Sequence, residues 1–253
     1  DTYPLFVEQM IRLAAPDSHG GALVLPLSIA CNTGPQYAAL RARVSNEPGT
    51  WRFAFFDREP HALFGEDVKT RNAIVLWKKH AVEHGVSVQT GPLRKWRGQD
   101  RASLFEKIGY TPISVDLRLG IPKVEGTNEA RTLERLTGLT NTLERIVTKI
   151  GRASLQEAFN EEGYLVYVGA TAYNFLNIFL PLGRQFAFTG ADPLSENPLF
   201  ALLCRSREDQ LAVYAALNGN LAFWWWHVHG DGFHVSRHTL TGMPIGAALL
   251  HGK

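Results

Sequence analysis

Residues 22–27 read Ala-Leu-Val-Leu-Pro-Leu, a continuous apolar run with the length of one β-strand. Such a run is typical of a strand in a parallel sheet, because helices cover both faces of that kind of sheet. Apolar residues at helical spacing over 5–13 precede it, and Gly34-Pro35 opens a second helix after it. Strand-like runs follow at 51–56 and 73–77. This order predicts an α/β fold that corresponds to the second half of a doubly wound sheet.

The remainder of the chain has a different pattern. Leucine and isoleucine recur every three or four residues from Asn128 to Ile150, which predicts one long helix ended by Gly151. A second helical spacing runs over 207–226. Strand-like runs lie at 164–168, 185–189 and 199–204. We therefore predict three regions, which are an α/β half-domain at 1–80, a basic linker region at 81–120 and an α+β domain at 121–253.

Composition excludes several classes of protein. The chain has 253 residues, of which 45% are hydrophobic and 20% charged, so collagen-like and largely disordered chains are excluded. Its two cysteines, Cys31 and Cys204, are too few for a disulfide framework, which predicts a reduced, cytoplasmic compartment. No apolar stretch is long enough to span a membrane, and we expect no membrane partner. The first residues lack the features of a signal peptide and begin directly with a helical pattern, which indicates a fragment or a processed chain.

Positive charge is concentrated in one part of the chain. From Lys69 to Arg101, eight Lys or Arg residues stand against two Asp or Glu, although the whole chain has a net charge of only +2. This asymmetry predicts a face that meets a polyanion. A solvated loop between domains is the other interpretation.

A third pattern combines tryptophan and histidine near the end of the chain. Residues 224–226 are three consecutive tryptophans, and adjacent helix positions point about 100° apart, so one or two of them are expected at a cleft, a partner or a groove edge. The alternative, which we favour for any single tryptophan, is that two of them belong to separate cores on either side of the helix. His227, His229, Asp231 and His234 follow, and these residue types are zinc ligands. An Asp231-Gly232 turn with exposed histidines is the alternative that we favour. Phosphate-loop, dinucleotide-binding and nucleophile-elbow motifs are absent from the sequence.

Several segments resemble adenine-N6 DNA methyltransferases of the γ class, the TaqI-like enzymes. Residues 1–8 and 20–28 are similar to the stretch that follows the catalytic motif of that family. Residues 56–60 and 63–76 are similar to its β-hairpin region. The similarity to its C-terminal target-recognition domain lies at 215–219, 224–226, 230–232 and 243–245.

The resemblance implies an incomplete enzyme. The family binds S-adenosylmethionine near an F-x-G-x-G motif and acts through [DNS]-P-P-[YFW], and both motifs lie upstream of the matching region. This sequence contains neither motif and no Pro-Pro dipeptide. We therefore expect the C-terminal part of a restriction-modification type enzyme, which binds no cofactor and contains no catalytic residue or metal site. Its expected partners are double-stranded DNA and the missing N-terminal methyltransferase half, in the same polypeptide or in another chain.

The resemblance also implies that Phe64 stacks on the extruded adenine. A core phenylalanine under a loop is the alternative for this position. Basic residues that follow it would meet phosphates, and residues of the second domain would position or read the duplex. The candidate DNA-binding residues are Lys69, Arg71, Lys78, Lys79, Arg94, Lys95, Arg97, Trp226, His229, Asp231, His234 and Arg237.

Two other functions compete with DNA recognition. One is a stand-alone specificity or interaction subunit that completes its sheet with a partner chain, because half a sheet leaves strands unpaired. The other is a zinc-dependent hydrolase built on His227, His229, Asp231 and His234.

Overall fold

The computed structural model describes residues 2–14, 20–65, 70–80, 85–155, 157–159, 163–182 and 198–246. The chain divides into two compact units, Asp1–Thr137 and Gly138–Lys253, which we call unit 1 and unit 2. Each unit contains helices and one β-sheet, so the predicted mixed α/β class is confirmed in this general form. Within the described residues, no helix combines the length and the apolar character needed to cross a bilayer.

Unit 1 is built on a mixed five-stranded sheet. Its helices are α1 (Tyr3–Leu13), α2 (Ser28–Cys31), α3 (Pro35–Asn46) and α4 (Gly126–Thr137). Its strands are β1 (Gly20–Pro26), β2 (Gly49–Phe56), β3 (Asn72–Lys79), β4 (Val86–Arg94) and β5 (Thr111–Ile113). The strand order is β1-β3-β2-β4-β5. Only β2 and β4 pair in parallel, and the antiparallel β3 lies between β1 and β2, which run in the same direction.

The central strand β2 buries apolar side chains on both faces, although Arg52 on one face is exposed. Successive strand side chains point to opposite faces. One set contains Trp51, Phe53 and Phe55, all fully buried in the core formed with α1 and α3. The other set packs into a second cluster, whose members are Ala54, Phe56, Leu63, Trp96 and Leu104. The second cluster includes residues that follow β2 and β4, so it supports the loops at that edge of the sheet.

Two features of unit 1 differ from the sequence expectations. Among the described strands β1 pairs with β3 alone, and Val24 is 48% exposed, so the expected burial of 22–27 on both faces is wrong. Residues 81–120, predicted as a basic linker region, contribute β4 and β5 to the sheet in their described part.

The described residues of unit 2 form an antiparallel four-stranded sheet and three α-helices. The strands are β6 (Val147–Ala153), β7 (Leu165–Gly169), β8 (Ile178–Phe179) and β9 (Leu199–Cys204), in the order β6-β9-β7-β8. The helices are α5 (Arg207–Asn218), α6 (Asn220–His229) and α7 (Arg237–Thr241). The predicted strands at 164–168 and 199–204 are confirmed within one residue, and 185–189 lies outside the described residues.

The prediction of one helix from Asn128 to Ile150 is wrong. Helix α4 ends at Thr137, a 3-10 turn occupies Leu143–Arg145, and β6 begins at Val147. The side-chain hydroxyl of Thr137 donates to the carbonyl of Leu133, and Gly138 follows. Leu139 is 44% exposed, whereas Leu143, Ile146 and Ile150 are buried outside any α-helix, so the spacing past Thr137 reflects burial by a turn and a strand. Pairing of Ile150 with Leu202 of β9 places the second half of this stretch in the sheet.

The predicted helix at 207–226 is two helices. Gly219 has an extended backbone, with φ −76° and ψ 153°, and this residue separates α5 from α6. Ser206 caps α5 by accepting a hydrogen bond from the N–H of Asp209 at 3.2 Å. The break turns the tryptophan-rich segment into a separate helix whose side chains pack on both of its faces.

Candidate nucleic-acid interface

The carboxyl ends of β2 and β4 meet at one edge of the unit 1 sheet because these two strands are parallel. The N–H of Asp57, directly after β2, donates to the carbonyl of Arg94, the last residue of β4, at 2.8 Å. Strand β3 runs the other way, so its first residue, Asn72, lies at the same edge. We call this the carboxyl edge. Ligand sites of α/β proteins usually lie at such an edge.

An ion pair joins two segments at the carboxyl edge. Nε of Arg71 lies 2.8 Å from Oδ1 of Asp57, and the two side chains are 11% and 2% exposed. The same oxygen accepts the N–H of Arg58 at 2.7 Å. Arg71, a predicted phosphate contact, thus places its guanidinium against a buried carboxylate and holds the loop after β2 to the start of β3.

Phe64 lies on the loop after β2, and its side chain is 52% exposed. The preceding residue, Leu63, is buried, and its carbonyl accepts a hydrogen bond from Nη1 of Arg101 at 3.1 Å. Gly65 follows with φ +89°, a conformation that side-chain-bearing residues rarely adopt. The loop is therefore anchored on one side of Phe64 and presents the ring to solvent. This exposure excludes the alternative of a core phenylalanine.

Three of the predicted basic residues belong to the same edge. Arg94 ends β4 and is half-buried, whereas Lys95 and Arg97 follow it and are exposed. Between them, Trp96 packs in the second cluster with Leu63. The exposed cations and Phe64 are therefore supported by the same group of buried side chains.

The other basic residues lie elsewhere. Lys78 and Lys79 end β3, opposite Thr50 and Gly49, the first residues of β2. They lie six and seven positions along β3 from Asn72, which is about 20–23 Å at about 3.3 Å per residue. Lys69 lies outside the described residues. The basic stretch that looks continuous in the sequence is thus divided between opposite ends of one strand.

Unit 1 also carries an exposed apolar surface on α1 and β1. On α1, Leu5, Phe6 and Leu13 are 63%, 56% and 80% exposed, and Val24 of β1 is 48% exposed. The opposite side of α1 is buried through Val7. We call these four exposed residues together the α1–β1 surface. Its two parts lie on opposite faces of the sheet, because Val24 pairs with Ile74 on the face of the second cluster, whereas α1 packs on the other face. The β1 part belongs to the strand whose outer edge pairs with no described strand.

In unit 2, two of the predicted DNA-binding residues are part of the core. Trp226 is 2% exposed, and its Nε1 donates to the carbonyl of His234 at 3.0 Å. His229 is 7% exposed, and its ring centroid lies 4.1 Å from that of Trp225. Both side chains are therefore buried beneath the surface and are not available to contact a base. Of the three tryptophans only Trp224 is not buried.

Asp231 organises the loop that follows α6. Its Oδ1 accepts the N–H groups of Phe233 and His234 at 2.8 Å and 2.6 Å, and its Oδ2 lies 2.7 Å from Nδ1 of His234. Burial raises the pKa of Asp231, but the hydrogen bonds from His234 and Phe233 outweigh it and lower the pKa below its usual value. The carboxylate thus fixes the loop and the imidazole, which itself is 65% exposed.

The exposed members of the predicted set, His234 and Arg237, have neighbours that sequence reasoning missed. Arg152 of β6 and Arg237 line the same pocket as His234. Phe233 contacts the exposed Tyr173, with ring centroids 5.1 Å apart, and the N–H of Ala172 donates to the carbonyl of Phe233 at 2.8 Å. A sequence signal for this surface is the presence of two aromatic residues, Tyr173 and Phe175, in the loop after β7, because loops seldom expose aromatic rings. No sequence signal marks Arg152.

The loop after β7 presents both of these aromatic side chains. Tyr173 and Phe175 are 63% and 66% exposed. Exposed aromatic rings beside cations are the composition of nucleic-acid-binding surfaces, where rings stack on bases and cations meet phosphates. In unit 2, the exposed Tyr173 reaches His234 through Phe233, whose ring contacts both.

The histidine-rich segment does not assemble into a metal-binding group. Among the described residues, no three His, Cys, Asp or Glu side chains come together in a way that would hold a metal ion. His229 is buried against Trp225, whereas His234 is exposed and pairs with Asp231. His227 stacks on Phe223 at 6.2 Å.

No protein-family model matches the chain, and no curated protein matches it.

Proposed function

We propose that this chain is the DNA-binding and target-recognition part of an adenine-N6 DNA methyltransferase, and that it does not transfer the methyl group by itself. The resemblance of its first 77 residues to that family motivates the proposal. The observation that carries it is the exposed ring of Phe64 at the carboxyl edge, with Lys95 and Arg97 exposed on the same support. S-adenosylmethionine would supply the methyl group in the complete enzyme.

Phe64 is suited to hold an extruded adenine. A methyltransferase must take its target base out of the stack, and a ring that is exposed on an anchored loop offers a stacking partner at low entropic cost. Stacking of one base on an aromatic side chain is worth about 1–3 kcal/mol. That energy is comparable to the cost of unstacking a base in a duplex.

The cations at the carboxyl edge would supply affinity that is independent of sequence. Lys95 and Arg97 are exposed, so their charges are available to phosphates. Each phosphate neutralised by a protein cation releases condensed counterions and makes binding depend on salt. Arg71 has a different role in this proposal, because its ion pair with Asp57 positions the loop that carries Phe64.

The edge of β1 supports the second half of the proposal. Strands β1 and β2 run in the same direction, and a further strand paired with β1 would continue the sheet. The helices of that additional half would cover the α1–β1 surface and remove an exposed sheet edge. The half that binds S-adenosylmethionine is our proposed occupant.

Duplex binding by the intact chain tests the proposal. We would measure the dissociation constant of a fluorescent duplex by anisotropy at several salt concentrations. We expect the logarithm of the association constant to fall linearly with the logarithm of the salt concentration. The slope should be about −0.9 for each phosphate contact. The double variant Lys95→Ala/Arg97→Ala should weaken binding and reduce the slope by about 2.

The matched control removes the same charge from the other end of the sheet. Lys78→Ala/Lys79→Ala also lowers the net charge by two but lies at the far end of β3. It should leave the slope near the wild-type value. A well-folded wild-type chain without duplex affinity, or equal effects of the two double variants, would overturn this assignment of the interface.

An interaction subunit is the second candidate function, and the α1–β1 surface favours it. The open edge of β1, which carries the exposed Val24, and the three exposed apolar side chains of α1 are features that tend to associate with another chain. A subunit of this kind would pair β1 with a strand of a partner chain.

Sedimentation velocity over a range of concentrations tests this second candidate. We expect the wild-type chain to self-associate through the open edge when its partner is absent. Val24→Lys should abolish the association, because it places a charge on that edge. Lys149→Ala, on the exposed part of β6, is the control for an unrelated edge strand. A wild-type chain that stays monomeric at all concentrations would count against the interaction subunit.

A further inference from the structure

Unit 2 contains a pocket of about 490 Å³ between the edge strand β6 and the segment that leads into α7. Ile150 and Arg152 line it from β6, and Phe200 lines it from β9. His234 and Arg237 line the opposite side. Among the described residues that line it there is no acidic side chain, and the two arginines give this described lining a formal charge of +2.

Arg152 is held in place by an aromatic ring. Its guanidinium carbon lies 4.1 Å from the ring centroid of Phe200, which is only 5% exposed. Stacking of this kind restricts the guanidinium without using its N–H donors. Within the described part of the chain, Arg152 makes no ion pair, and its side chain is exposed. Its donors are therefore oriented and available.

Arg237 and His234 line the other side of the pocket. Arg237 is exposed and also makes no ion pair with any described residue. His234 is fixed through the 2.7 Å contact between its Nδ1 and the carboxylate of Asp231. That contact uses Nδ1 and leaves Nε2 as the second polar atom of the ring. The negative charge of Asp231 is engaged with His234 and two backbone N–H groups, and Asp231 does not line the pocket.

We propose that this pocket binds a phosphodiester group of the DNA backbone, with Arg152 and Arg237 as the guanidinium donors. The proposal rests on the proposed function for its macromolecular partner. Planar guanidinium groups match the oxygen geometry of a phosphate and bind it through paired hydrogen bonds. The described lining of this pocket has two guanidinium groups and no carboxylate, so its charge fits an anion. Arg152 is then an anchor that places the exposed aromatic loop after β7 on the duplex.

The test combines two titrations of the intact chain. In the first, anisotropy with a duplex measures affinity and salt slope for the wild type, Arg152→Ala and Arg152→Lys. We expect Arg152→Ala to weaken binding about tenfold and to reduce the slope by about 0.9. Arg152→Lys should keep the slope but not the full affinity, because lysine retains the charge and loses the planar fork.

Arg145→Ala is the matched control. Arg145 is an exposed arginine of unit 2 that makes no ion pair with a described residue, and it precedes β6, whereas Arg152 lies near the end of that strand. Its replacement should leave affinity and slope close to wild type. Equal effects of Arg145→Ala and Arg152→Ala would show a diffuse charge effect and overturn the pocket.

The second titration uses inorganic phosphate at constant ionic strength and follows the imidazole signals of His234 by ¹H–¹³C NMR. We expect a saturable shift in the wild type that is lost in Arg152→Ala. A phosphate-dependent shift with no effect of Arg152→Ala on duplex binding would overturn the DNA-backbone assignment and identify a site for a free phosphorylated ligand. The absence of both effects would overturn the proposal altogether.

The two titrations separate this inference from the proposed function. If the wild type binds duplex normally and Arg152→Ala binds equally well, the assignment of the pocket to the DNA backbone fails and the proposed function is retained. If the wild type binds no duplex but His234 responds to phosphate, the proposed function fails and the pocket remains an anion site.

Discussion

The guanidinium of Arg71 and the carboxylate of Asp57 form an ion pair, 2.8 Å between Nε and Oδ1, in which the side chains are only 11% and 2% exposed. Each of these two buried charges stabilises the other, because the free energy of burying an unpaired carboxylate is much higher than that of burying the pair. The pair connects the residue after β2 to the residue before β3. It therefore fixes the base of the loop that presents Phe64.

Replacing Arg71 with alanine should destabilise unit 1. We expect the free energy of unfolding to fall by about 3–5 kcal/mol, since Asp57 would remain buried without its partner. Urea unfolding followed by circular dichroism measures this loss. Arg205→Ala is the control, because the Arg205–Asp209 pair is exposed at its arginine and its loss should cost at most about 1 kcal/mol. Wild-type stability combined with weaker DNA binding in Arg71→Ala would show a direct phosphate contact instead.

Replacing Phe64 with alanine should remove a preference for unstacked adenine. The wild type is expected to bind a duplex with a mismatched adenine more tightly than a fully paired duplex, because a mismatched base costs less to extrude. Phe64→Ala should lose roughly 1–3 kcal/mol of binding to the mismatched duplex and little to the paired one. Competition anisotropy with the two duplexes measures the difference.

Phe6→Ala is the matched control for that experiment. Phe6 is a phenylalanine of unit 1 with a similar exposure, 56% against 52% for Phe64, but it lies on α1. Its replacement should leave the preference unchanged. If both variants retain the preference, Phe64 does not stack on the base.

Tyr173 and Phe175 should contribute apolar contacts with DNA. We expect Tyr173→Ala/Phe175→Ala to weaken duplex binding about tenfold or more, at an unchanged salt slope, because stacking rings release no counterions. This combination separates them from Arg152, whose removal should change the slope. Tyr164→Ala, an aromatic of unit 2 that is 44% exposed, is the control. A changed slope in the double variant would contradict the stacking role.

Asp231 should make the stability of unit 2 depend on pH in the acidic range. Its pKa in the folded protein lies below the usual value of about 3.9, because hydrogen bonds to the carboxylate outweigh its burial. A group with a lowered folded-state pKa stabilises the fold above its unfolded-state pKa. That contribution is lost as the pH falls through the lower, folded-state pKa.

Asp231→Asn tests this dependence. At pH 7 we expect a loss of about 1–2 kcal/mol in the free energy of unfolding, since an amide is a weaker acceptor for the three hydrogen bonds. The difference from wild type should shrink below pH 4 and disappear once the wild-type carboxylate is protonated. Thermal unfolding at a series of pH values measures it, with Glu144→Gln as the control for net charge. A difference that stays constant with pH would refute the role of the carboxylate.

The sequence predicted strands well where burial is continuous. The runs at 51–56, 73–77 and 199–204 each form a strand, because apolar side chains on both faces require cover from both sides. The prediction of one helix from Asn128 to Ile150 is wrong because a spacing of three or four between apolar residues reports only on local geometry. Past Thr137 the same residue types pair with β9, and that pairing depends on residues more than 50 positions away.

The site divides in the same way between local pattern and tertiary structure. The amino-acid sequence is enough to show that positive charge is concentrated at 69–101 and to predict Phe64 in a loop beside it. The parallel pairing of β2 and β4 emerges only in the folded chain, where it brings Lys95 and Arg97 to the edge of Phe64 and leaves Lys78 and Lys79 at the other end. Folding also brings Arg152 and Arg237 into the lining of one pocket. The physical reason is that periodicity reports which faces are buried, whereas strand order and direction are set by packing between residues distant in sequence.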